Sequence, residues 1–112
     1  WGADLPSLWI NTASAWTEAR GITTLNLDTW YHLAGVFNNA TIKIYLDGIE
    51  EASAVKTGDI GGGARSVNIG AKSDDNLNLW VGSLGLVSLY NRALSAQEIR
   101  RLYIDPYAMF MR

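Results

Sequence analysis

Asp47-Gly48 constrains the fold more than any other feature, because it lies between two runs whose hydropathy alternates. A two-residue type I′ turn needs positive φ at both central positions, and Asp-Gly is among the few pairs that adopt it readily. Ahead of the turn, Ile42, Ile44 and Leu46 alternate with Lys43 and Tyr45, which is the period of a strand with one face on a core. The returning strand covers about Ile49 to Ala54, so this region is expected to be a hairpin. Asn38-Asn39 marks an earlier turn, and Tyr31 to Phe37 is apolar on both faces, as a central strand covered on each side should be.

The remaining β signals are shorter. Leu8-Trp9-Ile10 is a strand candidate bounded by Pro6 and by Asn11-Thr12, Trp16 to Gly21 fits no single template, and Ile22 to Leu27 reads as a further short strand. Gly58 to Gly63 holds four glycines in six residues and reads as a mobile loop. Val67 to Gly70 reads as a strand, Ala71 to Asn78 as a polar loop, and Leu79 to Tyr90 as a long strand or a bent pair. In that last segment Leu84, Leu86 and Tyr90 share one face, with Val81, Val87 and Leu89 on the other, and Gly82 and Gly85 suit a bulge or a close backbone approach. One helix is expected, from Ala96 to Tyr103. Ser95 caps it, Glu98 reaches back to complete a capping box, Leu94 packs on Ile99 as a staple, and Ile99, Leu102 and Tyr103 form its buried face. Many short strands, turns between them and one short C-terminal helix describe an all-β antiparallel sandwich.

A chain of 112 residues is one domain. Hydrophobic residues make up 48% and charged residues 18%, enough apolar material for a core and too little charge for disorder. The net charge is −2 with scattered basic residues, so there is no positive stripe for phosphates and nucleic acid is excluded as a partner class. No apolar run reaches the roughly 20 residues that span a bilayer, and no signal segment is present. The chain opens at Trp1 rather than Met, so whether Trp1 is the true N-terminus stays open. Without Cys there are no disulfides, thiolate metal sites or Cys nucleophile, though this does not fix the compartment.

Few residues suit catalysis. His32 is the only histidine, sits beside Trp30 in an expected core strand, and reads as a packed structural residue. Glycoside hydrolysis needs two carboxylates flanking one bond. Glu50 and Glu51 are neighbours, so on a strand they point to opposite faces, and a non-catalytic chain is expected. The densest set of oxygen donors is Asp74 and Asp75 with Ser73, Asn76 and Asn78. A hard cation such as Ca²⁺ takes six to eight oxygens, so Asp74 and Asp75 are the candidate Ca²⁺ ligands, the bland alternative being a solvated turn. Asn39-Ala40-Thr41 fits the N-glycosylation pattern, which matters only in a eukaryotic secretory host. Trp1, Trp9 and Trp16 are free to lie at the surface, in a core or interface role or as sugar platforms.

Three motifs fall in one order: Trp30-Tyr31-His32-Leu33-Ala34, Ile44-Tyr45-Leu46-Asp47-Gly48, and the run from Trp80 through Tyr90-Asn91-Arg92-Ala93-Leu94-Ser95 to Ile99. Together they resemble the laminin-G-like branch of the concanavalin A-like lectin/glucanase superfamily, over about Leu8 to Tyr103. The resemblance implies a jelly-roll sandwich, buried core positions for Trp30 and Trp80, and a binding module rather than a catalyst. Relatives commonly carry Ile-Asp-Glu-Val after the glycine matched by Gly82, where this chain has Leu84-Gly85-Leu86-Val87, so a metal or polar role there is put in doubt. The strands that open the family's sandwich are weak or absent before Leu8, lying upstream or supplied by a partner. The tail from Leu102 to Phe110 is similar to the ends of laminin-G-like proteins from phage and environmental sequences.

The expected organisation is a sandwich over 1–104 and a tail over 105–112, in which Tyr107, Met109 and Phe110 are interface candidates. The expected function is recognition or adhesion, with a glycan as ligand and Asp74, Asp75, Asn76 and Asn78 as its contacts. The alternative is a structural or decorative protein of a phage virion or other large assembly, making protein contacts. Either role fits an extracellular or virion-associated domain that is part of a larger chain or assembly.

Overall fold

The computed structural model describes residues 4–12, 15–61, 67–71 and 79–107. The elements in order are β1 (Ser7–Thr12), β2 (Ala15–Arg20), β3 (Leu33–Phe37), β4 (Thr41–Leu46), β5 (Ile49–Val55) and α1 (Ala96–Ile104). Asp47 and Gly48 both adopt positive φ, 49° and 79°, and Leu46 pairs with Ile49 across the turn, so the type I′ hairpin forms as its dipeptide requires. The turn between β3 and β4 is held by Asn38, whose Oδ1 accepts from Thr41 N at 2.8 Å and Ala40 N at 3.1 Å. These turns give an antiparallel sheet of order β3-β4-β5.

The β1-β2 hairpin is a second antiparallel sheet, and it settles Trp16 to Gly21 as mainly strand. Its inward residues Leu8, Ile10 and Ala19 pack on Ile42 and Ile44 of β4, joined by Phe37, Ala52 and Ala54. A Cβ on Gly35 would come within 2.9 Å of Leu8 Cδ2, so a glycine there lets the two layers approach closely. On the other face of the β3-β4-β5 sheet, Tyr45, Ala34 and Val36 meet Tyr90, Leu94, Ile99 and Leu102. The three-stranded sheet is therefore the middle layer, with a hairpin on one side and α1 on the other, but β3 is only partly covered: Leu33 and Gly35 are exposed and Ala34, Val36 and Phe37 half-buried, short of the full cover its sequence led one to expect. The capping box of α1 is complete: Ser95 Oγ accepts from Glu98 N at 3.2 Å, and Glu98 Oε2 accepts from Ser95 N at 2.8 Å.

Several expectations give way. β3 lies at an edge of the described sheet and β4 is central, because nothing among the described residues pairs with the outer side of β3. Ile22 to Leu27 is not a strand. Its backbone donors are taken elsewhere: Ile22 N and Thr23 N by Glu51, Leu25 N by Asp4 O, and Asn26 N by the Tyr31 hydroxyl. Val67 to Gly70 and Leu79 to Tyr90 form no strands either. One bridge, Ala71 with Leu79, and one bond from Trp80 N to Gly70 O join them, and Gly70 and Gly82 turn the chain with φ of 80° and 138°. Residues 81–89 are exposed throughout, so neither of the two alternating faces read there is buried among the described residues. Trp30 and Trp80 are consequently exposed rather than core. Tyr103, expected on the buried face of α1, is partly exposed beside His32, with ring centroids 6.0 Å apart. Of the glycine-rich loop, Gly58 to Gly61 is described. It is tied to β1 by the Thr12–Ile60 bridge and by Gly61 N donating to Asn11 O.

Candidate functional site

Asp74, Asp75, Asn76 and Asn78, the expected ligand and Ca²⁺ residues, lie outside the described residues, as do Met109 and Phe110. Tyr107 is described and exposed, and its N–H donates to Asp105 Oδ1 at 3.1 Å. Among the described residues no group of three or more His, Asp or Glu side chains is placed to hold a metal ion.

The two glutamates diverge for a reason more specific than strand alternation. β4 and β5 lose register between Ile44 and Tyr45, so Glu51 is the extra residue of a bulge: Ile44 faces Ala52 and Tyr45 faces Glu50. Glu50 Oε2 meets Lys43 Nζ at 2.8 Å and the Tyr45 hydroxyl at 3.4 Å. Glu51 accepts from Ile22 N, Thr23 N and the Thr23 hydroxyl at 2.9–3.0 Å. The Thr23 N–H leads, with Ile22 N–H and the Thr23 hydroxyl adding to it, in holding the Glu51 carboxyl below its ordinary range. It therefore stays ionised where a general acid must hold a proton.

Two surfaces remain open. The first is a groove of about 910 Å³ along the free side of β3, walled by Trp30, Leu86, Leu89 and Tyr90. His32 O accepts from Asp47 N and Asn38 N donates to Thr41 O. In an antiparallel pair alternate residues face the partner strand, so the amides and carbonyls of Leu33, Gly35 and Phe37 point away from β4 into the groove. His32 Nδ1 and the Tyr90 hydroxyl, two buried polar atoms without a partner among the described residues, belong to groove-lining residues as well. His32 is thus the half-buried, packed residue expected, with its N–H on Asp47 Oδ1 at 2.8 Å.

The second surface is the outer face of the β1-β2 hairpin. Leu8, Ile10 and Ala19 point inward, so strand alternation turns Ser7, Trp9 and Asn11 of β1, and Trp16, Glu18 and Arg20 of β2, outward. Trp9 stands opposite Glu18 and Asn11 opposite Trp16. The outward position of Trp9 was readable from the Leu8–Ile10 alternation. That of Trp16 was not, because β2 shows no clear period until its pairing is known.

A family model described as the concanavalin A-like lectin/glucanases superfamily, of the laminin-G-like type, matches residues 2–100. The chain belongs to this family. Membership accounts for the antiparallel layers and points to a binding module. The fold is similar to a 2.1 Å crystal structure of an S-layer domain-containing protein from Clostridium thermocellum, with a TM-score of 0.53 and 18% identity over 87% of this chain. This laminin-G-like chain spans 50% of that one, half its length. No curated protein matches the chain. No helix among the described residues is long and apolar enough to cross a membrane.

Proposed function

We propose that this laminin-G-like domain is a non-catalytic carbohydrate-recognition module carried on a surface-exposed protein. One observation carries the reading: the tryptophans described lie at the surface instead of in the core, with Trp9 and Trp80 each 52% exposed, Trp16 65% and Trp30 71%. An exposed indole forgoes the burial that usually accounts for it, and aromatic faces stack on the C–H faces of sugars. The separate engagement of Glu50 and Glu51 supports binding without hydrolysis. A glycan array probed with the folded chain tests this directly. Saturable hits of modest affinity are expected, since a shallow wet surface gains little from desolvation. Absence of any hit across diverse glycans would overturn the reading. Incubation with the glycans that bind should release no reducing sugar, and release that is lost in Glu51→Gln would refute the non-catalytic part.

A second reading, assembly through protein contacts, is favoured by the open side of β3. Unpaired strand amides template pairing with another chain, and the S-layer protein sharing the fold makes a surface array a natural setting. A concentration-dependent dimer in sedimentation that Leu33→Lys abolishes is the expected result. A monomer at all concentrations would remove this reading and leave carbohydrate recognition standing.

A further inference from the structure

We infer that the outer face of the β1-β2 hairpin is the carbohydrate site, with Trp9 and Trp16 as stacking rings and Asn11, Glu18 and Arg20 as the hydrogen-bonding groups. The inference deepens the carbohydrate reading and rests on it. Trp9 pairs with Glu18 and Asn11 with Trp16, so the two tryptophans are diagonal neighbours on one face. Diagonal neighbours lie roughly 7–8 Å apart, on the scale of consecutive units of a sugar chain. Each ring is flanked across the ladder by a polar side chain, which gives the alternation of apolar plates and hydrogen-bonding groups that a hydroxylated ring with C–H faces presents in return.

Rigidity and charge both fit. The inner face of the hairpin is fixed on Ile42 and Ile44, and the buried Lys56 donates from Nζ to Ala15 O at 2.6 Å, pinning β2 one residue before Trp16. The rings are thus presented by an ordered sheet face rather than a loop, which limits the ordering cost of binding. Arg20 Nε lies 3.7 Å from Glu18 Oε1, so the face carries one base and one acid in mutual contact and suits an uncharged polysaccharide. Its size argues against a protein partner. Two strands of six residues present about 200 Å², against the roughly 800 Å² per partner of a stable protein interface.

Affinity electrophoresis of the 112-residue chain through gels containing xylan, laminarin or galactomannan, with pull-down on cellulose and chitin, tests the assignment. Trp9→Ala and Trp16→Ala should each weaken binding about three- to tenfold. Trp16→Tyr should restore part of it, and Val81→Ala, an exposed position off this face, should leave it unchanged. Both rings are exposed, so melting temperatures should stay near that of the parent chain and separate lost binding from lost fold. Binding by the parent chain that survives in the Trp9→Ala/Trp16→Ala double variant would overturn this site while sparing the carbohydrate reading. Absence of binding by the parent chain to every one of these polysaccharides would overturn both.

Discussion

Replacing Gly48 by Ala tests whether the hairpin turn is also a docking point for the helix. Gly48 has φ of 79°, and a Cβ there would lie 3.2 Å from Arg100 Cα and 3.4 Å from Tyr103 Cβ, both in α1. Gly58 provides the matched control, since its φ is 92° but a Cβ would find nothing closer than Thr12 at 3.7 Å. A left-handed conformation costs an L-residue about 1–2 kcal/mol, and the smaller unfolded state of Ala offsets part of that equally at both sites. Gly58→Ala should therefore cost about 1 kcal/mol. Gly48→Ala adds the displacement of helix backbone, an overpacking term of about 1–3 kcal/mol, for a total of about 2–4 kcal/mol. Urea unfolding of both variants, followed by tryptophan fluorescence, gives the difference directly. Equal losses in the two variants would refute the claim that α1 seats on the turn.

Further outcomes follow from the packing and the carboxylates. Ile42 is fully buried, so Ile42→Ala should cost about 2–5 kcal/mol in the same unfolding assay, and a smaller loss would mean that the two layers close over the cavity. Arg92, then the Ser95 N–H, push the Glu98 carboxyl down from 4.5 to about 2. Its folded value is the lower one, so its stabilisation is complete above about 4.5 and is lost as pH falls toward about 2. Melts across that window should be steeper in the parent chain than in Glu98→Gln, and parallel curves would contradict the assignment. Glu51→Ala should accelerate amide exchange at Ile22 and Thr23, whose N–H groups it accepts, while exchange at Ile44 stays slow. Uniform acceleration would mean that the glutamate supports the sheet itself.

What the sequence made legible is local. The Asp47-Gly48 turn, the alternation through β4 and the Ser95/Glu98 capping box depend on residues a few positions apart, and each forms as its chemistry requires. Leu94 and Ile99 meet in one cluster for the same reason. Ile22 to Leu27 has strand composition, yet its first two amides are taken by a glutamate some 28 residues away in sequence. That glutamate sits at the bulge of β5, a position that no window around Ile22 contains. The candidate site follows the same division. The outward position of Trp9 is written in its neighbours Leu8 and Ile10, whereas that of Trp16 requires the ladder to β1.

Residues 79–89 show the limit in another way. Their apolar alternation satisfies the local rule for a strand, and Val81 is 94% exposed, so composition and burial disagree along the whole stretch. Strand propensity belongs to the chain, but pairing belongs to a neighbour, and among the described residues the backbone partners along this stretch are Ala71 at Leu79 and Gly70 at Trp80. The groove beside β3 presents the complementary deficit, a row of amides and carbonyls without acceptors and donors among the described residues. A strand entering there would satisfy the β3 edge and cover Leu86 and Leu89 together. The β3 edge and the outer face of the β1-β2 hairpin are thus separate surfaces: one is defined by backbone groups without partners among the described residues, the other by side chains that strand alternation turns outward.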